Sequence, residues 1–266
     1  MKFSILASGS TGNALYIETD QIRLLVDAGL SGKQIEKHLR SIGVDPQSLS
    51  AILVTHEHID HVKGVGVLAR RYQIPVYMNQ ATWEALPPSV GQIDEAYKNI
   101  LETGAALELG DLHIETFPVS HDAAEPIGLR IEQDEEALGL VTDLGYVSKR
   151  IVDQISGVDT LILETNHDVE MLRMGPYPWN VKRRIFSDVG HLSNEDAGEA
   201  LVDILNSDGE NVYLAHLSRE NNLIELAELT VKSILQDAGI NVGKEVHLHE
   251  TYPDRPTPLR QVKRKE

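Results

Sequence analysis

The sequence predicts an α/β fold in one domain, on three observations. Short runs of β-branched and aliphatic residues alternate with segments of helical periodicity along the whole chain. No repeat and no linker rich in Pro, Gly or Ser divides the 266 residues, so one domain is expected over residues 1–266. The composition, 41% apolar and 24% charged, is typical of a folded protein with a sizeable core.

The amino-terminal part of the chain is predicted to contain four strands and two helices. The strands cover residues 2–6, 14–18, 22–26 and 51–55. Ser31 is suited to cap a helix that continues to about residue 42, where Gly43 ends it. A second helix is predicted over residues 62–72.

The rest of the chain continues the same mixture. Further strands are predicted at residues 114–119, 127–131, 137–142, 160–163 and 211–215. Helices are predicted at 194–205 and 223–238. Ser193 and Asp196 form a capping-box pattern at the start of the first of these helices, which fixes its beginning.

Charge and composition exclude several classes of protein. The 24 Lys and Arg against 41 Asp and Glu give a formal charge of −17, which argues against nucleic-acid binding over the whole surface. The chain has no cysteine, which excludes disulfides, thiolate nucleophiles and zinc–thiolate sites. No apolar run approaches the ~18 residues that span a bilayer, and the first residues lack a signal-peptide core. We therefore expect a cytoplasmic protein without a membrane partner.

A histidine-rich loop follows the predicted strand at residues 51–55. His56, His58, Asp60 and His61 form the pattern H-x-H-x-D-H, with four metal-capable side chains in six residues. Residues two apart in extended backbone point the same way, so His56 and His58 can bind one ion together. Asp60 and His61 then suit a second ion. Imidazole and carboxylate without thiolate are compatible with Zn, Mn, Fe or Ni.

Three more candidate ligands directly follow apolar runs. His121 follows residues 117–120, Asp143 follows a predicted strand, and His216 follows another. Loops at strand ends carry functional residues in many folds. Taken singly, each of these side chains could instead be a capping or hydrogen-bonding group. Together with the H-x-H-x-D-H loop, they indicate a metal site with two ions.

This set of residues, in this order, resembles the metallo-β-lactamase superfamily. The resemblance covers nearly the whole chain and implies a four-layer αβ/βα sandwich of two mixed sheets flanked by helices. It implies that the ligands of the first ion are His56, His58 and His121. It implies that the ligands of the second ion are Asp60, His61 and His216. Asp143 would bridge both ions, and Asp27 would support the loop without touching metal.

Within that superfamily the chain is similar to the YycJ (WalJ) group. The stretches that carry this likeness are residues 7–13, 120–126, 163–168, 190–194 and 214–222. The group motif usually has a second Ser where this chain has Thr11. The likeness implies a 5′→3′ exonuclease that acts on DNA with two divalent ions per chain, Mn or Zn, with Fe or Ni as further options.

Two of those stretches also resemble the tRNA-processing nuclease RNase Z. There a glutamate orients a histidine that protonates the leaving oxygen, and the matching residues here are Glu164 and His191. His167 is an alternative partner for His191 or a substrate contact. With Asp60, Glu164 and His191 form the predicted catalytic set. Two ions about 3.5–4 Å apart would supply a bridging hydroxide as the nucleophile, and His191 would be the general acid.

Substrate contacts are predicted in two further segments. Residues 171–187 contain four basic and no acidic side chains, with Tyr177 and Trp179 between prolines. We interpret this segment as a substrate-contact loop; a solvated amphipathic loop is the alternative. Its predicted binding residues are Lys182, Arg183 and Arg184. Asn13, in the turn at residues 8–13, and His167 complete the predicted contacts, and a basic tail from about residue 253 is predicted to be a mobile end.

Two other functions stay open at this point. One is a small-substrate hydrolase on the same scaffold, for a cyclic phosphodiester or a thioester. The other is a non-catalytic binding module that a metal stabilises. A seven-ligand set with His191 beside it argues against the module, since structural metal sites are usually closed with four ligands. The expected partner is nucleic acid, with DNA favoured, and the oligomeric state is left open.

Overall fold

The computed structural model describes residues 1–263, and the chain divides into two compact units. Unit 1 contains residues 1–118, 123–127 and 251–261. Unit 2 contains residues 119–122, 128–250 and 262–263. The expectation of one domain over 1–266 stays a prediction. Among the described residues, no helix is both long and apolar enough to cross a bilayer.

Unit 1 is built on a mixed sheet. Its strands are β1 (Lys2–Ala7), β2 (Ala14–Glu18), β3 (Arg23–Val26), β4 (Ala51–Leu53), β5 (Val76–Met78), β6 (Lys98–Ile100) and β14 (Arg260–Gln261). The order is β14-β1-β2-β3-β4-β5-β6. Pairing is antiparallel from β14 to β3 and parallel from β3 to β6. An antiparallel hairpin, β7 (Ala106–Leu109) with β8 (Leu112–Pro118), also belongs to unit 1.

Four helices complete unit 1. They are α1 (Gly32–Ser41), α2 (Ile59–Val62), α3 (Val65–Tyr72) and α4 (Gln80–Ala85). Ser31 caps α1 in a capping box with Gln34, as the sequence predicts for the start of this helix. The buried face of α1 presents Ile35 and Leu39 to the hydrophobic core of unit 1. Burial of this apolar stripe is the main stabilisation of such a helix.

The helix predicted over residues 62–72 is wrong in extent, because the chain bends at Gly64. The Gly64 N–H donates to the carbonyl oxygen of Ala28 at 2.7 Å. A Cβ at Gly64 would lie 2.5 Å from the carbonyl oxygen of Leu30. This close backbone approach separates α2 from α3, and of the histidine-rich loop only Asp60 and His61 lie on the short helix α2.

Unit 2 is built on five strands with helices. The strands are β9 (Ile127–Gln133), β10 (Glu136–Val141), β11 (Thr160–Glu164), β12 (Glu210–Ala215) and β13 (Val246–Glu250), in the order β13-β12-β11-β10-β9. β10 to β13 are parallel, and β9 pairs with β10 antiparallel. The helices are α5 (Lys149–Ile155), α6 (Val169–Met174), α7 (Trp179–Ile185), α8 (Asn194–Ile204) and α9 (Ile224–Asp237). Several candidate residues lie at the carboxyl ends of these parallel strands.

Two predicted segments differ in the structure. Residues 171–187 are not one loop, because they contain the end of α6 and all of α7. Pro178 precedes α7 with φ −59°, a backbone angle that proline favours and that suits a helix start. Residues 260–261, predicted to be part of a mobile tail, form β14 against β1. Residues 264–266 of the predicted basic tail lie outside the described residues.

Candidate metal centre

Three of the candidate side chains lie on residues with left-handed backbone. Asp27 directly follows β3, Asp143 lies two residues beyond β10, and His216 directly follows β12. Their φ angles are 58°, 60° and 55°. Residues other than glycine rarely adopt this conformation, and they keep it only where the surroundings enforce it. Such positions are concentrated at functional sites, and no sequence pattern reveals them.

In unit 1, Asp27 holds the histidine-rich loop. Its buried Oδ1 accepts a hydrogen bond from the Thr55 N–H at 2.9 Å. Its Oδ2 accepts from the Thr55 hydroxyl and from His61 Nδ1, both at 2.8 Å. Because Nδ1 of His61 donates this bond, its Nε2 carries the lone pair in the neutral ring.

Side chains of the loop converge around that nitrogen. Nε2 of His61 lies 3.0 Å from Nδ2 of Asn13 and 3.8 Å from Oδ2 of Asp60. The His56 ring centroid is 4.1 Å from that of His61 and 4.7 Å from that of His58. Unit 1 therefore presents three imidazoles and one carboxylate within a short reach of one another.

Asn13 fixes the turn after β1 against this loop. Its backbone N–H donates to the carbonyl oxygen of Asp60 at 2.8 Å, and its Oδ1 accepts from the Gly9 N–H at 2.9 Å. Gly29 permits the approach, since a Cβ there would lie 1.6 Å from the carbonyl oxygen of Asp60. Asn13 was predicted to bind substrate; in the structure its backbone N–H and its Oδ1 form hydrogen bonds to other residues of unit 1.

In unit 2, Glu164 connects two histidines. Its Oε1 accepts hydrogen bonds from Nδ1 of His191 at 2.8 Å and from Nδ1 of His216 at 2.7 Å. Its Oε2 accepts from the backbone N–H groups of Leu144 and Leu192, each at 3.1 Å. A fully buried carboxylate with these four bonds sets the orientation and tautomer of both imidazoles.

Asp143 and His121 lie beside this pair. Oδ1 of Asp143 is 3.6 Å from Nδ1 of His216 and 3.7 Å from Nε2 of His121. Nδ1 of His121 donates to the carbonyl oxygen of Gly190 at 3.1 Å, which leaves the lone pair on Nε2. Four residues each offer one potential metal-ligand atom, and these atoms all lie within 4.8 Å of one another: Asp143, Glu164, His191 and His216.

The pKa values in unit 2 reflect burial and the carboxylate. Burial alone would raise the pKa of Glu164, but the imidazoles of His191 and His216 outweigh it and lower this pKa from 4.5 to about 2. Burial alone would lower the pKa of His191, but the charge and hydrogen bond of Glu164 raise it above 6.5. Burial lowers the pKa of His121. His191 is therefore the imidazole whose protonated form its surroundings favour.

His167 is placed differently from the other histidines. It is 1% exposed, and its ring centroid lies 5.4 Å from that of Phe186. Its backbone carbonyl accepts from the Asn194 N–H at 2.8 Å. Neither ring nitrogen of His167 has a hydrogen-bond partner within residues 1–263. Burial lowers its pKa to about 4, so the ring is neutral near pH 7.

The three basic residues predicted to bind substrate have different surroundings. Lys182 is buried, and its Nζ donates to the carbonyl oxygens of Arg173 and Gly175, both at 2.8 Å. Arg184 forms an ion pair with Asp122, including a bond from Nη2 to Oδ1 at 2.8 Å. Arg183 is exposed on α7. The ammonium group of Lys182 thus stabilises the protein itself.

The donor chemistry of both units fits a divalent cation. Imidazoles with a fixed tautomer and buried carboxylates are ligands of borderline and hard metals, and the chain has no cysteine to select soft ones. Asp27 in unit 1 and Glu164 in unit 2 act as the carboxylate partners that typically orient metal-binding histidines.

A mixed-sheet α/β protein with such histidine and aspartate clusters at strand ends is typical of metal-dependent hydrolases. The Beta-lactamase superfamily domain matches residues 22–217, so the chain belongs to this family. The chain is 49% identical over 262 residues to Exodeoxyribonuclease YycJ of Bacillus anthracis, covering 98% of this chain and 99% of the relative. It is 48% identical over 263 residues to Exodeoxyribonuclease WalJ of Streptococcus pneumoniae serotype 2, covering 98% of each.

A solved structure supports the same fold. The metallo-beta-lactamase fold protein YhfI from Bacillus subtilis matches with a TM-score of 0.73 at 16% identity, over 96% of this chain and 98% of that one. The predicted superfamily and its α/β fold of two mixed sheets flanked by helices are confirmed. The prediction of an enzyme of this superfamily is confirmed as well.

Proposed function

We propose that the chain is a metal-dependent exodeoxyribonuclease that degrades DNA from the 5′ end in the cytoplasm. The observation that best supports this reaction is the hydrogen bond between buried Glu164 and His191, which favours a protonated imidazole. Near-full-length similarity to two proteins named exodeoxyribonuclease supports DNA as the substrate. The 5′→3′ polarity rests on the resemblance to the YycJ (WalJ) group.

The proposal includes two divalent ions, Mn or Zn, with Fe or Ni as alternatives. The proposed ligands of one ion are His56, His58 and His121. Those of the other are Asp60, His61 and His216, with Asp143 shared. The family match over residues 22–217 includes all seven. Bound divalent cations activate water and neutralise phosphate oxygens in this class of reaction.

The chain's own residues supply orientation and a proton. Glu164 fixes the His191 ring through Nδ1, so the opposite nitrogen, Nε2, is the atom that would donate a proton to the leaving oxygen. The His191 side chain is 17% exposed, whereas the Glu164 side chain is fully buried. A substrate can therefore reach the imidazole but not its supporting carboxylate. Asp60, with a side chain that is 22% exposed, is the further carboxylate of the proposed catalytic set.

The test is degradation of end-labelled oligonucleotides by chelator-treated protein after addition of Mn²⁺ or Zn²⁺. The proposal expects metal-dependent release of short products from a 5′ label, with DNA degraded faster than RNA and Asp143→Asn inactive. If the protein binds metal but cleaves neither DNA nor RNA, the proposal is contradicted. Hydrolysis of a cyclic phosphodiester or a thioester under the same conditions would then support the small-substrate hydrolase.

A further inference from the structure

The surface formed by α6, α7 and the turn between them carries exposed apolar side chains beside basic ones. We call Met174, Trp179 and Arg183 the α6–α7 platform. Met174 is 82% exposed and Trp179 is 63% exposed. Residues 171–187 contain no Asp or Glu, although the chain has a formal charge of −17. An exposed tryptophan in such a segment indicates a binding surface.

Trp179 is held in place before any ligand binds. Trp179 is the first residue of α7, directly after Pro178, and Lys182 follows one turn later. Nζ of Lys182 lies 5.5 Å from the centroid of the Trp179 ring, in a cation–π contact. That ammonium is itself anchored on the carbonyl oxygens of Arg173 and Gly175. The ring is thus oriented by a fixed cation while most of its area stays open to solvent.

The platform is linked by backbone to the proposed proton donor. The N–H of His191 donates to the carbonyl oxygen of Ile185, the last residue of α7, at 3.1 Å. Gly190 allows this contact, since a Cβ there would lie 2.1 Å from the same oxygen. From Trp179 to Ile185 the helix rises by about 9 Å, which is a span of a few nucleotides at most. Trp179 and His191 are thus joined through a single short helix and the turn that follows it.

We propose that Trp179 stacks on an unpaired nucleobase of the substrate strand, while Arg183 provides a cation for the neighbouring phosphate. This inference rests on the proposed nuclease function and specifies its substrate as a single-stranded end. An aromatic ring beside basic side chains is the usual arrangement for single-stranded nucleic acid, because every base has a face that can stack. Arg183 is exposed on α7, whereas its neighbour Arg184 is already paired with Asp122.

The test uses the fluorescence of Trp179. The chain contains two tryptophans, so Trp83→Phe leaves Trp179 as the only one. The probes are a phosphorothioate octathymidylate that resists cleavage, an abasic octamer of equal charge, and a blunt duplex. Stacking predicts that the octathymidylate quenches Trp179 and that the abasic octamer and the duplex do not.

Substitutions separate stacking from charge in the same assay. Trp179→Ala is expected to weaken octathymidylate binding between about fivefold and about 150-fold, the range of base–aromatic stacking, and to leave abasic binding unchanged. Trp179→Phe is expected to retain most of the affinity. Leu229→Ala, at a residue 65% exposed on α9, is the matched control and should bind as the parent does. Equal affinity of Trp179→Ala and its parent would overturn the proposal.

Binding is measured without cleavage, so the two proposals fail separately. If metal-loaded protein degrades DNA but the octathymidylate does not quench Trp179, the platform alone is wrong. If no oligonucleotide binds and none is cleaved, both proposals are wrong. A blue shift of Trp179 emission on anionic phospholipid vesicles, without quenching by the octathymidylate, would overturn the platform in favour of a lipid surface.

Discussion

Glu164 and His191 form a carboxylate–imidazole pair in which Oε1 accepts from Nδ1 at 2.8 Å. The carboxylate is fully buried, and the imidazole is partly exposed. Two backbone N–H groups donate to Oε2 of Glu164, so the position of the carboxylate is fixed. This arrangement suits a proton donor whose orientation and pKa are both set by one neighbour.

Removing the charge of Glu164 should shift the pH dependence of cleavage. A general acid acts in its protonated form, and Glu164 raises the pKa of His191 above 6.5, so activity extends to higher pH. In Glu164→Gln the imidazole loses that support, and the alkaline limb of kcat/KM should move to lower pH. The control is Glu210→Gln, another buried glutamate of unit 2 that accepts two backbone N–H bonds. An unchanged alkaline limb in Glu164→Gln would contradict this role.

Asp27→Asn should weaken metal binding without unfolding the protein. Asparagine keeps the volume and tolerates the left-handed backbone of φ 58°, but it removes the negative charge that orients His61. Loss of such a partner typically costs 10- to 100-fold in metal affinity, which a competition titration with a fluorescent chelator measures. Asp45→Asn, at the exposed cap of a 3₁₀ turn, is the control. Identical Mn²⁺ affinity in Asp27→Asn and wild type would be the contrary result.

Gly29→Ala should destabilise unit 1. The added Cβ would lie 1.6 Å from the carbonyl oxygen of Asp60, so backbone must shift. We expect a loss of at least about 2 kcal/mol in the free energy of unfolding, measured by urea denaturation. Gly43→Ala has open space around the new Cβ and only a positive φ of 84°, so it should cost about 1 kcal/mol. Equal costs at the two positions would argue against close packing at the loop.

Arg183→Gln should reduce the salt dependence of DNA binding. If Arg183 neutralises one phosphate, its loss should lower the slope of log K against log salt by about 0.7 for single-stranded DNA. Arg173→Gln is the control, since Arg173 is already paired with Glu170. The measurement is fluorescence anisotropy from low to moderate salt. A slope equal to that of the wild type would show that Arg183 does not contact phosphate.

Local patterns in the sequence predicted much of the fold. Ser31 and Ser193 cap helices as expected, because a capping box involves residues only three apart. The strands before Asp143 and His216 were also predicted, since residues 137–142 and 211–215 are mostly apolar. Short helices such as α6 and α7 were missed, because six or seven residues show too little periodicity to detect.

Long-range relationships in the candidate site could not be predicted. Glu164 and His216 are 52 residues apart, and only the parallel pairing of β11 with β12 brings them together. The left-handed backbone of Asp143 likewise depends on tertiary structure. Lys182 was predicted to bind substrate because its charge is visible in the sequence. Folding alone brings its Nζ into hydrogen-bond distance of the carbonyl oxygens of Arg173 and Gly175.

The most direct test of the central claim compares two leaving groups with His191→Ala. A general acid matters when the leaving oxygen is a poorly stabilised alkoxide, and it matters little for a stable nitrophenolate. We predict that His191→Ala slows cleavage of a thymidine dinucleotide by roughly 10²–10⁴-fold, while thymidine 5′-(p-nitrophenyl) phosphate is hydrolysed at nearly the wild-type rate. Equal losses on both substrates, with metal content unchanged, would contradict the assignment of His191 as the proton donor.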